Sequence, residues 1–295
     1  MTRFLESVVN GVSVGSVYAL IALGFVIVFK ATEVVNFAHG SLLVLGGYIT
    51  ARVHSHLPFA LALLCGVAAA GLAALLVERL FVRKLAQSGN VNALAILTIG
   101  VDVVLITELT RRFGADILDI GDPWGNHRVN LGSVSIPQAR LAAIVVAAVL
   151  LTAFFLAFKY SGLGVALRAT AEDGEAAALM GIRRGRVTAT AWVVAGSLAA
   201  VAAVFLTAFP SPGIDPGARL TALRAFPAAI LGGLDSTAGA VIGGLAIGLA
   251  EAFTAGYGVT LAGGSLGDVI PYLVMLVVLL VRPSGLLGTR ELTRV

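Results

Sequence analysis

One segment of this chain, residues 162–186, concentrates ionisable side chains between two long apolar stretches. Its charged residues are Arg168, Glu172, Asp173, Glu175, Arg183, Arg184 and Arg186. Acids come early and bases late, an order that complements the dipole of a helix, and Gly174 and Gly181 are expected to bend or stop the backbone. The pattern predicts a short, capped helix parallel to a membrane surface, where a soluble protein could bind. A solvated connecting loop is the alternative.

A second group of polar residues interrupts an apolar run at Asn36-Phe37-Ala38-His39-Gly40. Polar side chains in such a run cost several kcal/mol unless they are paired. The segment predicts a local break in a helix, with its freed backbone facing a cavity. Asn36 and His39 either make hydrogen bonds between helices or contact a solute that crosses the membrane. Further candidates for solute contact are Ser16, Tyr18, Phe37, Gly40 and Thr98.

Two carboxylates, Asp102 and Glu251, fall within apolar segments. Either could relay a proton or bind a coupling ion, or each could be satisfied by a partner or by the membrane interface. Arg219 and Arg224 follow a Pro- and Gly-rich turn at 210–217 and are expected at the outer rim.

The elements that must position these residues are membrane helices. Hydrophobic residues make up 58% of the 295 residues and charged residues 12%, a composition that excludes an ordinary soluble domain. Five stretches free of charged residues predict spans, at 7–29, 34–51, 53–77, 141–158 and 187–214. Four further segments, at 91–109, 220–234, 237–253 and 266–281, contain a charge or are short. We therefore expect an all-α, polytopic transmembrane bundle of eight or nine segments, eight if one short Gly-rich piece is a broken or re-entrant helix.

The distribution of Lys and Arg predicts the orientation of this bundle. Basic residues concentrate at 79–84, 159–186 and 282–294, and the positive-inside rule places these loops and the carboxyl terminus in the cytoplasm. Residues 110–138 are then an outer loop, whereas the side of the amino terminus is undetermined. Small residues at helix-packing spacing, such as Gly11 with Gly15 and Gly244 with Gly248, predict close helix contacts.

Several classes of chemistry lack their sequence patterns. The chain has no GxxxxGK[ST] nucleotide loop, no HExxH zinc pattern and no Ser-His-Asp arrangement. We therefore expect no enzyme activity, no cofactor and no metal. The net charge of +4 comes with no basic, aromatic-interleaved patch, so nucleic acid is not an expected partner.

Two sets of motifs resemble a known family. Glu175-Ala176-Ala177 with Gly181 resembles the EAA loop through which permeases of ABC transporters bind their ATPase, although the Ile and Leu-Pro that normally follow are missing. Three further motifs stand in the same order and spacing as in the first permease subunit of ABC importers for branched-chain amino acids. They are GSVYALIALG at 15–24, VNFAHG at 35–40, and RATAED at 168–173 ahead of Gly181-Ile182. The similarity runs from about residue 11 to residue 287.

This resemblance implies a single transmembrane permease domain over residues 1–295, with a cytoplasmic coupling loop at about 160–186. It implies a bacterial inner-membrane location and three kinds of partner: two cytoplasmic ATP-binding subunits, a homologous second permease or a second copy, and a periplasmic substrate-binding protein. The implied ATPase-coupling residues are Arg168, Glu172, Asp173, Glu175, Ala176, Ala177 and Gly181. The family also includes urea and short-chain amide permeases, which remain an alternative, as does an ion-driven secondary carrier.

Overall fold

A computed structural model describes residues 2–86, 91–114, 116–121, 123–125, 127–131, 134–208, 213–258, 260–261 and 264–288. Within these residues, six helices are long and apolar enough to cross a membrane. The backbone of each bonds within the helix, as the hydrocarbon core of a bilayer requires. The prediction of a helical membrane bundle is confirmed.

The helices follow one another along the chain, and the connection between α5 and α6 contains two strands. Their bounds are α1 Thr2–Thr32, α2 His39–His54, α3 Phe59–Val77, α4 Arg83–Ala86, α5 Val91–Phe113, α6 Gln138–Tyr160, α7 Gly162–Glu172, α8 Gly174–Leu179, α9 Arg184–Leu206, α10 Ala218–Leu223, α11 Ala225–Gly232, α12 Thr237–Gly256 and α13 Ile270–Val281. A π-helical segment, Glu78–Val82, joins α3 to α4, and a 3-10 turn, Leu266–Asp268, precedes α13.

Two short antiparallel hairpins lie in the connections between helices. Strands β1, Arg128–Leu131, and β2, Val134–Pro137, pair ahead of α6. Strands β3, Thr260–Leu261, and β4, Gly264–Ser265, pair after α12. The first hairpin lies in the outer loop expected at 110–138.

Three of the nine sequence segments form helices shorter than a span. The segment at 34–51 becomes α2, which has 16 residues because the chain does not enter a helix until His39. The segment at 266–281 contains α13, with 12 residues. The segment at 220–234 is broken into α10 and α11, of six and eight residues. At about 1.5 Å per residue neither of these two helices crosses a bilayer alone, so this segment is the broken helix that the sequence predicts.

The chain divides into two compact units. The first comprises Met1–Val26, Trp124–Ala147 and Leu223–Val295, and in it α1 packs closely on α12. A Cβ atom added to Gly15 of α1 would lie 2.8 Å from the Cα of Leu245, and one added to Gly11 would lie 2.8 Å from the Cα of Leu249. Gly244 and Gly248 of α12 lie against Ala19 and Gly15 in return. The close contact predicted from glycine spacing is therefore confirmed.

The second unit comprises Ile27–Pro123 and Ala148–Ala222. Helices α2, α3 and α9 pack on one another in its centre, with Gly46 of α2 directly against Ala200 of α9. A buried apolar cluster at one end joins Val28 of α1, Leu42 of α2 and Trp192 of α9. This unit contains the charged segment at 162–186 and the break at 33–38.

Candidate functional site

The charged segment folds into α7 and α8, which follow α6 directly. The Ser161 hydroxyl accepts a hydrogen bond from the N–H of Gly164 at 3.1 Å and so caps the start of α7. One face of α7, formed by Gly164, Leu167 and Thr170, is buried. The spacing of these three residues is that of a single helix face, so the charged side chains of α7 point away from the interior.

Arg168 bonds to the end of α6. Its guanidinium donates to the carbonyl oxygen of Phe158 and, at 3.4 Å, to that of Lys159, and its Cζ lies 5.2 Å from the centroid of the Phe158 ring. Carbonyl groups in the last turn of a helix have no partner within that helix, and a cation there complements the dipole. Arg168 therefore holds α7 against the end of α6.

The start of α8 is capped by Asp173. Its carboxylate accepts hydrogen bonds from the N–H groups of Glu175 and Ala176, both at 2.9 Å. Ala177 is buried, whereas Glu172 and Glu175 are exposed. Asp173, one of the acids early in the segment, thus fixes the first turn of α8.

The end of α8 is a glycine cap. Gly181 has a φ of 87°, and its N–H donates to the carbonyl of Ala178 at 3.0 Å. The N–H of Ile182 donates to the carbonyl of Ala177, also at 3.0 Å, which completes a Schellman motif. The prediction of a short, capped helix is confirmed for α8, and α7 is a second capped helix that the sequence did not separate from it.

The two residues directly before Gly181 form an exposed apolar tip of α8. Leu179 is 89% exposed and Met180 84% exposed. Large apolar side chains this exposed, next to charged residues, are typical of a binding surface. We call Leu179 and Met180 the α8 tip.

A polar cleft of about 350 Å³ lies beside the junction of α7 and α8. One wall is residues 30–33, at the end of α1, and the other is residues 170–175 with Arg184. Glu33 has a φ of 57° and is the one non-glycine residue with positive φ in the described part of the chain. Its N–H donates to the carbonyl of Phe29 at 2.7 Å, so a left-handed residue closes α1 here.

The break between α1 and α2 covers residues 33–38, so it includes Asn36, Phe37 and Ala38 of the predicted interruption, whereas His39 and Gly40 already belong to α2. The Thr98 hydroxyl of α5 accepts from the N–H of Phe37 at 3.3 Å and lies 3.3 Å from the carbonyl oxygen of Val35. The Asn36 side chain accepts from the N–H of Ala38 at 3.1 Å. Thr98 thus satisfies backbone groups that the break leaves open. Asn36 and His39 are 1% and 0% exposed.

One helical turn after Thr98, Asp102 is the centre of a partly buried ionic group. Ser41 of α2 donates to Oδ1 of Asp102, and Nη1 of Arg219 lies 2.5 Å from Oδ2. The side chains of Asp102 and Arg219 are 8% and 27% exposed. A Cβ at Gly40 would lie 2.9 Å from Cγ of Arg219, so this glycine leaves room for the arginine. Arg219, which the sequence predicts at the outer rim, is the ion-pair partner of a carboxylate in an apolar helix.

Ser16 and Tyr18, the other two candidates for solute contact, belong to the first unit. The Ser16 hydroxyl donates to the carbonyl of Val12 in its own helix at 2.7 Å. The Tyr18 hydroxyl donates to Oε2 of Glu251 at 2.8 Å.

Glu251 also lies near an arginine. Nη1 of Arg224 is 3.5 Å from Oε1 of Glu251 and 2.9 Å from Oδ1 of Asp268. Both carboxylates that the sequence places within spans therefore have an arginine partner.

Sequence reasoning missed Ser41 and Glu78. Ser41 directly follows Gly40, and that adjacency was its only signal. Glu78 is fully buried in the π-helical segment, and its carboxylate oxygens have no hydrogen-bond donor among the described residues. In the sequence, Glu78 directly follows the apolar run at 53–77, so it indicates only the end of a span.

Comparison with known proteins identifies the family of this chain. A family model described as branched-chain amino acid transport system / permease component matches residues 7–279. The chain is 35% identical to the high-affinity branched-chain amino acid transport system permease protein LivH of Escherichia coli (strain K12), over 99% of this chain and 98% of that protein. It is 34% identical to BraD, the corresponding permease protein of Pseudomonas aeruginosa, with the same coverage.

A more distant relative agrees with this match, and a solved structure shows the same fold. A probable branched-chain amino acid transport permease protein LivH of Methanocaldococcus jannaschii is 28% identical over 91% of this chain and 88% of that protein. The solved structure PsaBC from Streptococcus pneumoniae in complex with Fab shares the fold, with a TM-score of 0.50 and 16% identity over 96% of this chain and 93% of that chain. The chain belongs to the branched-chain amino acid transport system permease family.

Proposed function

We propose that this protein is the membrane-spanning permease subunit of an ATP-driven importer that moves branched-chain amino acids across a bacterial inner membrane. The match to the family over residues 7–279 is the observation that supports this most directly. It is a transport subunit rather than an enzyme, so ATP hydrolysis belongs to partner subunits. Its proposed partners are two cytoplasmic ATP-binding subunits, a second permease or second copy, and a periplasmic substrate-binding protein.

The ATP-binding subunit docks on the α8 tip in this proposal. Leu179 and Met180 supply apolar contact area, and Glu175 and Ala176 present an exposed face on the same short helix. Both ends of α8 are capped by its own residues, so the helix is ordered before a partner binds. A preordered surface loses less conformational entropy on binding.

Force on α8 would reach the membrane helices by two connections within the second unit. The first is Arg168, which ties α7 to the last turn of α6. The second is the polar cleft, where residues 170–175 face the end of α1 at 30–33. From there the chain runs directly into the break that Thr98 holds. We propose that closure of the ATPases tilts α6 and α1 by these routes and so switches access to the pathway.

The experiment that tests this function is co-purification of the ATP-binding subunit with Leu179→Asp. The charged side chain cannot be buried at an apolar contact, so we expect at least about a tenfold loss of bound ATPase, with the permease still in the membrane. Leu179→Met is the matched control, because it keeps an apolar side chain of similar volume and should retain the ATPase.

ATP-dependent uptake of leucine into vesicles that contain the complete transporter tests the substrate. Uptake should require both ATP and the loaded binding protein. Full association and uptake with Leu179→Asp would exclude α8 as the docking site. Uptake driven by an ion gradient without ATP would contradict the proposed function itself.

A further inference from the structure

In the ion pair of Asp102 with Arg219, most N–H donors of the guanidinium have no acceptor among the described residues. A guanidinium has five N–H donors, and within the described residues its one acceptor is Asp102. The Arg219 side chain is still 27% exposed, whereas Asp102 is 8% exposed. A small solute can therefore reach free N–H groups of a guanidinium that stands beside a buried carboxylate.

Neighbouring residues of α2 hold both side chains of this pair in place. Ser41 donates to the second carboxylate oxygen of Asp102 and so fixes its orientation. Gly40 lets the stem of Arg219 lie directly on α2. In the adjacent break, Asn36 is 1% exposed and its amide nitrogen has no acceptor within the described chain. This corner of the second unit thus contains a buried acid, a partly free guanidinium and a further buried donor.

Opening a buried ion pair is costly because each charge then lacks a partner in a medium of low dielectric. A solute can avoid that cost only if it supplies a negative group for Arg219 and a positive group for Asp102. An α-amino acid does so from a single carbon, which bears both the carboxylate and the ammonium. A carboxylate also suits the two-pronged donor geometry of a guanidinium.

We propose that Asp102 and Arg219 form the subsite for the charged end of the transported amino acid. Arg219 binds the α-carboxylate, Asp102 binds the α-ammonium, and Ser41 positions the Asp102 carboxylate. Without solute the two side chains pair with each other, and the solute replaces each partner by its opposite charge. This inference rests on the proposed function and adds the residues that recognise its substrate.

The subsite also decides between solute classes. Urea and short-chain amides carry no pair of opposite charges, so they cannot replace both partners and leave the ion pair closed. Branched and other apolar side chains, by contrast, need no charged group of their own. We therefore expect this chain to pass zwitterions and to exclude neutral amides.

The test uses the complete transporter in proteoliposomes, supplied with its binding protein loaded with radiolabelled leucine. The variants are Asp102→Asn, Arg219→Gln and the double neutral variant Asp102→Asn/Arg219→Gln, which removes both charges while keeping hydrogen-bonding groups. We expect each to lower the maximal rate of leucine uptake by about tenfold or more, since a hydrogen bond to a charged group is lost. ATP hydrolysis stimulated by the loaded binding protein should remain within about twofold of wild type, because docking and coupling surfaces are untouched.

Two controls define the result. Glu108→Gln removes a carboxylate on the same helix that is paired with Arg111 and Arg112 at the exposed surface, and it should leave uptake unchanged. Arg219→Lys keeps the positive charge but lacks the planar, two-pronged donor geometry of the guanidinium, so it should recover part of the uptake that Arg219→Gln loses.

Wild-type uptake by the double variant would overturn the proposal, because it would show that the pair serves structure alone. Failure of the double variant to assemble would overturn it as well, by assigning the pair to folding. A wild-type transporter that does not import leucine would instead contradict the proposed function, which separates the two failures.

Discussion

Single side chains decide where the short helices of the charged segment begin and end. Asp173 alone satisfies two N–H groups at the start of α8, and Gly181 adopts the left-handed conformation that ends it. A helix of six residues has little stability of its own, so these caps determine whether its surface is ordered. Loss of one of these caps should therefore affect the order of α8 more than the stability of the whole protein.

We predict that Asp173→Ala weakens binding of the ATP-binding subunit by about fivefold to tenfold, because loss of an N-cap costs about 1 kcal/mol. Asp173→Asn keeps an acceptor at the same position and should bind nearly as well as wild type. The measurement is the ATPase affinity of the purified permease in nanodiscs. Equal affinity for the Ala and Asn variants would show that this cap does not order the docking surface.

At the element scale, glycines set how closely helices approach. In lipid, burial of apolar surface no longer drives helices together, so close van der Waals packing has to do so. Gly15 of α1 faces the backbone of α12, which cannot move aside as a flexible side chain could. Gly100 of α5, by contrast, has no atom within 4 Å of the place where a Cβ would lie.

This difference predicts opposite outcomes for the same substitution. Gly15→Ala should destabilise the protein by about 1–3 kcal/mol through overpacking against α12. Gly100→Ala should be neutral or stabilising by up to about 1 kcal/mol, since alanine favours the helix and meets no neighbour. Thermal denaturation of the purified chain in detergent measures both. A lower melting temperature for Gly100→Ala than for Gly15→Ala would contradict the packing described for α1 and α12.

At the scale of the whole molecule, the orientation of the chain determines which surfaces meet which partners. By the positive-inside rule, the basic residues at 79–84 and 159–186 predict that the α7–α8 segment is cytoplasmic. Residues 286 and 287 bond to Leu231 and Gly232 at the end of α11, so the segment after α13 is anchored to the first unit. We propose that this end of the chain is cytoplasmic too.

Labelling of single cysteines with a membrane-impermeant maleimide tests this orientation. In a Cys65→Ser background, Leu287→Cys should react in inside-out vesicles and not in intact spheroplasts. Arg128→Cys, at an exposed residue of β1, should show the reverse. Labelling of Leu287→Cys from the outside would contradict the proposed cytoplasmic location of this end of the chain.

Much of the secondary structure of this protein could be predicted from residues that are close together in the sequence. Long apolar runs predict helices because a bilayer leaves the backbone no other partner, and the six long helices lie where those runs are. The cap at Asp173, the stop at Gly181 and the break at 33–38 were also predictable, since each depends on residues only a few positions apart. The boundary between α7 and α8 and the short length of α2 were not, because they depend on how those residues pack.

The choice of long-range partners was decided only by the tertiary structure. Asp102 pairs with Arg219, 117 positions away, and Tyr18 with Glu251, 233 positions away. Nothing in composition or spacing distinguishes Arg219 from the other arginines of the chain, because an ion pair depends on distance and burial after the helices have packed. The amino-acid sequence alone therefore determined the helices and their caps, whereas the fold selected which charges face each other inside the membrane.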